Sequence, residues 1–244
     1  VHPLHSPAGD CLTADAPADH PWHHGLWFAI KFVDGDNFWE ELPPFGVLRT
    51  RRVTGGPESG LRAEIDWVRP DGETVAVRET RALAHRDLDE GYAIDWTETL
   101  VADRDVVLDR TPFTTWGGYG GLTLRGAGDW TDTALLLPDG APRERVLGEA
   151  APWCALSGRT PAGPAGVVLC WHPQNPRHPV PWYASSRAAT YGAGWANFCN
   201  AAFLWHEPLR LPAGEPLVLR HRVIVHDGRW DPARCAEAYA AWVG

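Results

Sequence analysis

Apolar positions recur at every second residue through much of this chain, as in strands with one face turned to a core. Residues 74–83 place Val75, Val77, Glu79, Arg81 and Leu83 on one face, and 91–101 place Ile94, Trp96, Glu98 and Leu100. Residues 216–226 do the same with Leu217, Leu219, His221, Val223 and Val225. Further strands are predicted over 26–33, 47–53, 61–68, 104–109, 119–125, 164–171 and 198–205, separated by Gly, Pro and Asp turns. Only the end reads as helix: Asp231 can cap, Pro232 suits the first turn, Cys235, Tyr239 and Trp242 share a face, and Gly244 closes it. No repeat or linker interrupts the pattern. The expectation is one all-β domain over 1–244, an antiparallel β-sandwich with a short C-terminal helix.

The alternation also carries ionisable groups inward, and a charge on an apolar face must be paired or used. Glu79 and Glu98 either pair with arginines of neighbouring strands or form the floor of a cleft. His221 reads as a hydrogen-bonded core histidine.

Chemistry concentrates in two segments. Asp19-His20-Pro21-Trp22-His23-His24-Gly25-Leu26-Trp27 puts three imidazoles within five residues. Imidazole titrates near neutrality and is the commonest nitrogen ligand for metals. Pro21 disfavours helix, so His20 and His24 belong to a loop entering a strand near Leu26, not to a helical metal face. The second segment is Trp171-His172-Pro173-Gln174-Asn175-Pro176-Arg177-His178-Pro179-Val180-Pro181-Trp182. Its prolines predict a stiff loop leaving a strand end, where binding groups are usually carried. A structural turn with surface histidines is the alternative.

Composition narrows the partners. Apolar residues make up 44%, enough for a sizeable core, but no apolar run approaches the ~20 residues that span a bilayer. A net charge of −9 argues against nucleic acid or an anionic membrane as partner. The chain opens on Val1 and contains no Met, which implies a missing or processed start. No signal peptide is visible, and the default location is the cytoplasm. Five cysteines at wide spacings read as free thiols in a reducing compartment. Lys31 is the only lysine, which reads as the compositional bias of a GC-rich genome. Fourteen tryptophans serve mainly in packing, with a few available to stack on a sugar.

The chain resembles a bacterial family catalogued as PmoA-like. The resemblance rests on His2-Pro3-Leu4 with Pro7-Ala8-Gly9, Asp19-His20-Pro21 with His23-His24-Gly25-Leu26-Trp27, and Asp36-Asn37-Phe38-Trp39. It continues in Gly117-Gly118-Tyr119-Gly120-Gly121 through Arg125, in His172-Pro173 with Asn175-Pro176-Arg177-His178-Pro179, and in His226-Asp227-Gly228. Two departures stand out: Trp22 occupies a position where the family often has histidine, and the segment before His2 is absent. The resemblance implies a galactose-mutarotase-like supersandwich, a fold that binds sugars on a concave sheet face and uses His and Glu for proton transfer. Fold alone does not fix function.

Three functions follow. The first is an enzyme acting on a sugar, keto-sugar or similar oxygenated small molecule by isomerisation, epimerisation or elimination, with a base and an acid as proton carriers. His20, His23, His24, His172 and His178 are its candidate catalysts, and Glu79 or Glu98 its inward carboxylate. Trp27, Trp39, Tyr119, Arg125, Asn175, Arg177 and Trp182 are candidate substrate contacts. The second is a mononuclear oxygenase or other metalloenzyme in which His20, His23, His24 and His172, with Asp19 in support, hold a single divalent zinc, copper or iron. The third is a non-catalytic carbohydrate-binding module. The first two expect the two histidine segments to converge over a common hollow, and the third expects a tryptophan-lined cleft in which the histidines face apart.

Overall fold

The structure, a computed structural model, describes residues 1–56, 58–112, 118–186 and 197–244. In chain order the first strands are β1 (Leu26–Ala29), β2 (Phe32–Val33), β3 (Asp36–Asn37), β4 (Val47–Gly56), β5 (Gly60–Val68) and β6 (Val75–Leu88). They are followed by β7 (Gly91–Val101), β8 (Val106–Asp109), β9 (Gly121–Arg125), β10 (Thr131–Leu136), β11 (Arg145–Ala151) and β12 (Trp153–Thr160). The chain ends with β13 (Gly163–Trp171), β14 (Val180–Ser185), β15 (Phe198–Ala201), β16 (Leu209–Leu211), β17 (Leu217–Asp227) and the helix α1 (Pro232–Val243).

Eight strands form an antiparallel sheet in the order β10-β12-β13-β17-β7-β6-β5-β4, and five form a second in the order β1-β9-β15-β14-β11. A small third sheet, β16-β8-β2-β3, was not anticipated by the sequence reading. The two large sheets pack face to face as an all-β sandwich. Their shared core takes Val77, Trp96, Leu100, Leu169, Val223 and Val225 from one sheet and Leu26, Phe28, Leu122, Leu124 and Trp182 from the other. The alternation in β6, β7 and β17 thus points inward as the sequence requires. The helix covers the opposite face of the eight-stranded sheet, with Cys235 packed near Cys170 and Ile224. Its cap is as expected: the Asp231 side chain accepts from the Arg234 N–H at 2.8 Å, with Pro232 following and Gly244 at the C-terminus.

Among the larger sheets, β10, β11, β12 and β14 escaped the sequence reading. Seven of the eight β12 residues and all six of β14 are buried. A strand covered on both faces has no polar alternation to betray it, and Pro181 inside β14 reads as loop. No described helix is long and apolar enough to cross a membrane.

Candidate functional site

The five-stranded sheet has a second face, turned away from the core, and it is the unusual one. Alternation along β1 sends Leu26 and Phe28 to the core and Trp27 and Ala29 outward. β9 sends out Thr123 and Arg125, β15 sends out Phe198 and Asn200, and β14 sends out Tyr183. These are buried all the same, because residues 15–24, Trp39, Tyr119 and Trp205 fold over them.

The 15–24 segment is held by its own backbone. The Ala16 N–H donates to His23 O at 2.8 Å and the His23 N–H to His20 O at 3.0 Å. At its exit Gly25 has φ +67, and a Cβ there would stand 2.7 Å from the Val1 carbonyl oxygen. Only glycine fits that combination, which explains the His-His-Gly run.

This turn lowers Asp19, His20 and His23 onto Arg125. One terminal guanidinium nitrogen of Arg125 donates to both Asp19 oxygens, at 3.0 and 2.9 Å. Asp19 Oδ2 stands 2.8 Å from His20 Nδ1. Desolvation pushes the Asp19 carboxyl up, but the hydrogen bonds from His20 and Arg125 and the Arg125 charge outweigh it, holding it below the usual carboxylate range. An ionised Asp19 keeps the His20 proton on Nδ1 and makes Nε2 the basic nitrogen.

His23 is different. It is 3% exposed, and burial, with the neighbouring His20 and the Arg125 charge, pulls its imidazole down to about 2. Arg125 can only donate, so Nδ1 of His23, 3.4 Å away, accepts and the ring proton sits on Nε2. His23 is therefore a neutral hydrogen-bond donor across the physiological range.

Around these groups lies an aromatic floor. His20 stacks on His23 at 4.6 Å, His23 packs on Trp27 at 5.1 Å and Phe198 at 5.4 Å, and Trp27 meets Trp39 at 5.4 Å. Trp39 meets Tyr119 at 4.9 Å. The floor is buried, while Asp19, His20, Trp22 and Tyr119 form a rim in contact with solvent. Trp27, Trp39, Tyr119 and Arg125 are thus brought together with His20 and His23 as expected, and Asp19 proves to be their link. Tyr183, Phe198 and Trp205 were missed: Tyr183 and Phe198 lie on short strands with little alternation, and Trp205 lies in the turn after β15.

Several other candidates lie elsewhere. His24 is committed at both nitrogens, to Asp15 Oδ1 at 2.9 Å and Glu41 Oε1 at 3.1 Å, as a half-exposed clip between loops. His172 sits edge-on to Trp242 of the helix at 5.1 Å. Two sheets, about 10 Å apart face to face, separate it from the first cluster, so the two histidine loops do not converge through it. Asn175 clamps β17, its Nδ2 donating to Arg220 O at 2.7 Å and its Oδ1 accepting from the Arg220 N–H at 2.8 Å. Arg177 spends its donors on the carbonyls of Phe203, Glu207 and Pro208. Trp182 is fully buried between the sheets, its indole N–H on Ala151 O at 2.9 Å, and cannot stack on a ligand. His178 lines an open hollow of about 270 Å³ with Pro181, His206 and Glu207, beyond Trp205 on the same sheet face. Gly117 lies outside the described residues.

Glu79 and Glu98 are interior groups, not the floor of a cleft. Glu79 accepts from the Trp67 indole at 2.8 Å and from Arg81 Nε at 2.6 Å. Glu98 Oε2 is 3.1 Å from Nε2 of His221, both side chains fully buried. Both are interior pairs, but not with arginines of neighbouring strands as expected: Arg81 stands two residues along Glu79's own strand, and the partner of Glu98 is a histidine.

The expected metal set does not fit. Among the described residues no three His, Cys, Asp or Glu side chains stand together as a ligand group. His172 is across the sandwich, and the Arg125 guanidinium stands against Nδ1 of His23.

The chain matches, over residues 1–240, a family of unknown function (DUF6807), and it belongs to that family. No curated protein and no solved structure matches it.

Proposed function

We propose that the protein is an enzyme performing acid–base chemistry on a carbohydrate-like small molecule, a sugar or keto-sugar, by isomerisation, epimerisation or elimination. The observation that carries this reading is the Arg125–Asp19–His20 series at the rim of the aromatic floor. A carboxylate fixed by arginine orients an imidazole and fixes its tautomer, the arrangement that makes an effective general base. The half-exposed rim of Asp19, His20, Trp22 and Tyr119 is where a ligand would meet the protein, and the rings of Trp22 and Tyr119 offer apolar surface for the C–H face of a sugar. Neutral His23 can donate from Nε2 to an oxygen on which negative charge develops, with no proton transfer of its own. The PmoA-like resemblance, with its mutarotase-like expectation, supports the same substrate class.

The test is proton exchange. Aldoses and ketoses incubated with the protein in D₂O are followed by NMR for deuterium entering at carbon and for anomer exchange. Exchange that falls by about a hundredfold or more in His20→Asn supports the reading. Saturable binding without exchange makes the chain a carbohydrate-binding module, and exchange untouched in His20→Asn removes the base.

A further inference from the structure

The loop that carries Trp39 holds a second buried polar assembly, which the Arg125–Asp19–His20 series leaves unused. Lys31, the sole lysine of the chain, is 7% exposed and pairs with Glu40 Oε2. Glu40 Oε1 accepts from the Tyr119 hydroxyl at 2.8 Å. One carboxylate thus joins an ammonium to a phenol.

The assembly is built by the fold. β1 and β9 pair from Leu26 opposite Leu124 to Ala29 opposite Gly121, and the same register, carried two residues further, sets Lys31 opposite Tyr119. Asn37 then fixes Glu40. Its Oδ1 accepts from the backbone N–H groups of Trp39 and Glu40 at 3.0 and 3.1 Å and from Lys31 Nζ at 3.4 Å. Its Nδ2 donates to Glu40 O at 2.7 Å. The Asp36-Asn37-Phe38-Trp39 motif therefore holds a carboxylate in place. The Tyr119 ring lies on Trp39, and Trp39 also meets His23 at 6.4 Å, so the phenol and the histidines border one floor.

We propose that Lys31, Glu40 and Tyr119 form a proton relay opening on this floor, in which Tyr119 is the catalytic residue that protonates an oxygen of the bound molecule. Glu40 and Lys31 are positioning and supply residues. The proposal rests on the reading that the floor binds a carbohydrate-like molecule. In the step, the Tyr119 hydroxyl turns from Glu40 Oε1 to the ligand, and its O–H bond breaks as an O–H bond forms on the ligand oxygen. Lys31 gives a proton to Glu40 Oε2, and Glu40, turning about its carboxyl, delivers it to the phenolate. Lys31 is left a neutral amine, and water restores its proton. Two shifts suit these roles: desolvation pulls the Lys31 ammonium down to about 8, within reach of neutrality, and burial pushes the Tyr119 phenol up, so that it keeps its proton until an oxyanion asks for it.

A single lysine gives a single signal, so the protein is labelled with [ε-¹³C]lysine and Lys31 is titrated directly by NMR. The midpoint is expected at about 8. Tyr119→Phe, which keeps the ring on Trp39, should move it by about half a pH unit or more; Tyr92→Phe, whose hydroxyl bonds His5 O instead, should not. A midpoint at the ordinary value of about 10.4, or one indifferent to Tyr119→Phe, overturns the relay. With a sugar that exchanges, Tyr119→Phe should slow exchange by about a hundredfold with KM changed less than about threefold, and the alkaline limb of the rate should follow Lys31. Lys31→Arg keeps the charge and should carry that limb to higher pH. If a sugar exchanges and Tyr119→Phe exchanges like the parent, the relay alone is lost. If no sugar exchanges, the acid–base reading falls, and proton delivery by Tyr119 with it, whatever the titration gives.

Discussion

Two groups of ionisable side chains are buried in this protein to the same depth. Between the sheets, Glu79 and Glu98 are 2% and 0% exposed; on the far face of the five-stranded sheet, Arg125 and His23 are each 3% exposed. Their partners differ. Those of the interior pair, Arg81 and His221, have side chains 16% and 0% exposed, whereas the Asp19 and His20 side chains are 24% and 29% exposed. Deep burial marks both groups as costly to build. Only a route to water separates a structural pair from a site that can receive a ligand.

The comparison breaks most sharply at Glu79. Removing its carboxylate leaves Arg81 beside an apolar core and the Trp67 indole N–H without its acceptor. Glu79→Ala should cost about 3–5 kcal/mol of folding stability, the range for one partner lost from a buried ion pair. Urea unfolding checks this, and a loss below about 1 kcal/mol would show that the interior pair is not structural. The rim should respond in the opposite sense. His20→Asn removes a half-exposed imidazole and should leave stability within about 1 kcal/mol, while lowering proton exchange into a sugar substrate by about a hundredfold or more. If His20→Asn unfolds the protein and Glu79→Ala does not, the assignment of the two groups must be exchanged.

Acid sharpens the contrast further. His23 is held near 2 in the folded protein, whereas an unfolded histidine titrates at about 6.5. Between those values the unfolded chain binds the extra proton, so stability rises with pH across the window and falls on acidification. The slope from this one group approaches about 1.4 kcal/mol per pH unit once the pH is well below 6.5. Comparing urea midpoints at pH 6 and pH 5 for the parent and for His23→Gln isolates it: the variant should lose this part of the dependence. Equal slopes in the two proteins would mean that His23 is not held neutral.

How much of this was readable in the chain depended on whether a position had one wet side. The inward faces of β6, β7 and β17 were legible because their opposite faces are polar, and the helix was legible from Asp231, Pro232 and Gly244. β12 and β14 were not, because both faces are covered and Ala, Ser, Gly and Pro carry little strand signal. In the site, the histidine run drew attention to the right loop, and Trp27, Trp39, Tyr119 and Arg125 do gather beside it. What each imidazole does was hidden, since it depends on long-range partners: Arg125 meets Asp19 across 106 positions of sequence. Lys31 and Glu40 were passed over for the same reason. Nothing local says that a lone lysine is buried against a carboxylate nine residues on.

The smallest expected effects are those of the second histidine segment, and they test what a conspicuous motif is worth. His-Pro-x-Asn-Pro-Arg-His-Pro looks as chemical as the first cluster, yet its two most constrained side chains, Asn175 and Arg177, are occupied by backbone groups. The histidines are left on surfaces: His172 accepts from the Gln174 N–H at 3.1 Å beside the helix, and His178 stands exposed on its hollow. Neither touches the Arg125–Asp19–His20 series, and neither fills core volume. His172→Ala and His178→Ala should each change stability by no more than about 0.5 kcal/mol, as for surface positions generally, and leave sugar proton exchange at the parent rate. Asn175→Ala, by contrast, takes the acceptor from the Arg220 N–H and leaves the Arg220 carbonyl with the His172 N–H of its two donors, and should cost more than both histidine variants together. A His178→Ala protein that folds normally but exchanges tenfold more slowly would join its hollow to the floor beyond Trp205 and extend the site along the whole face of the sheet.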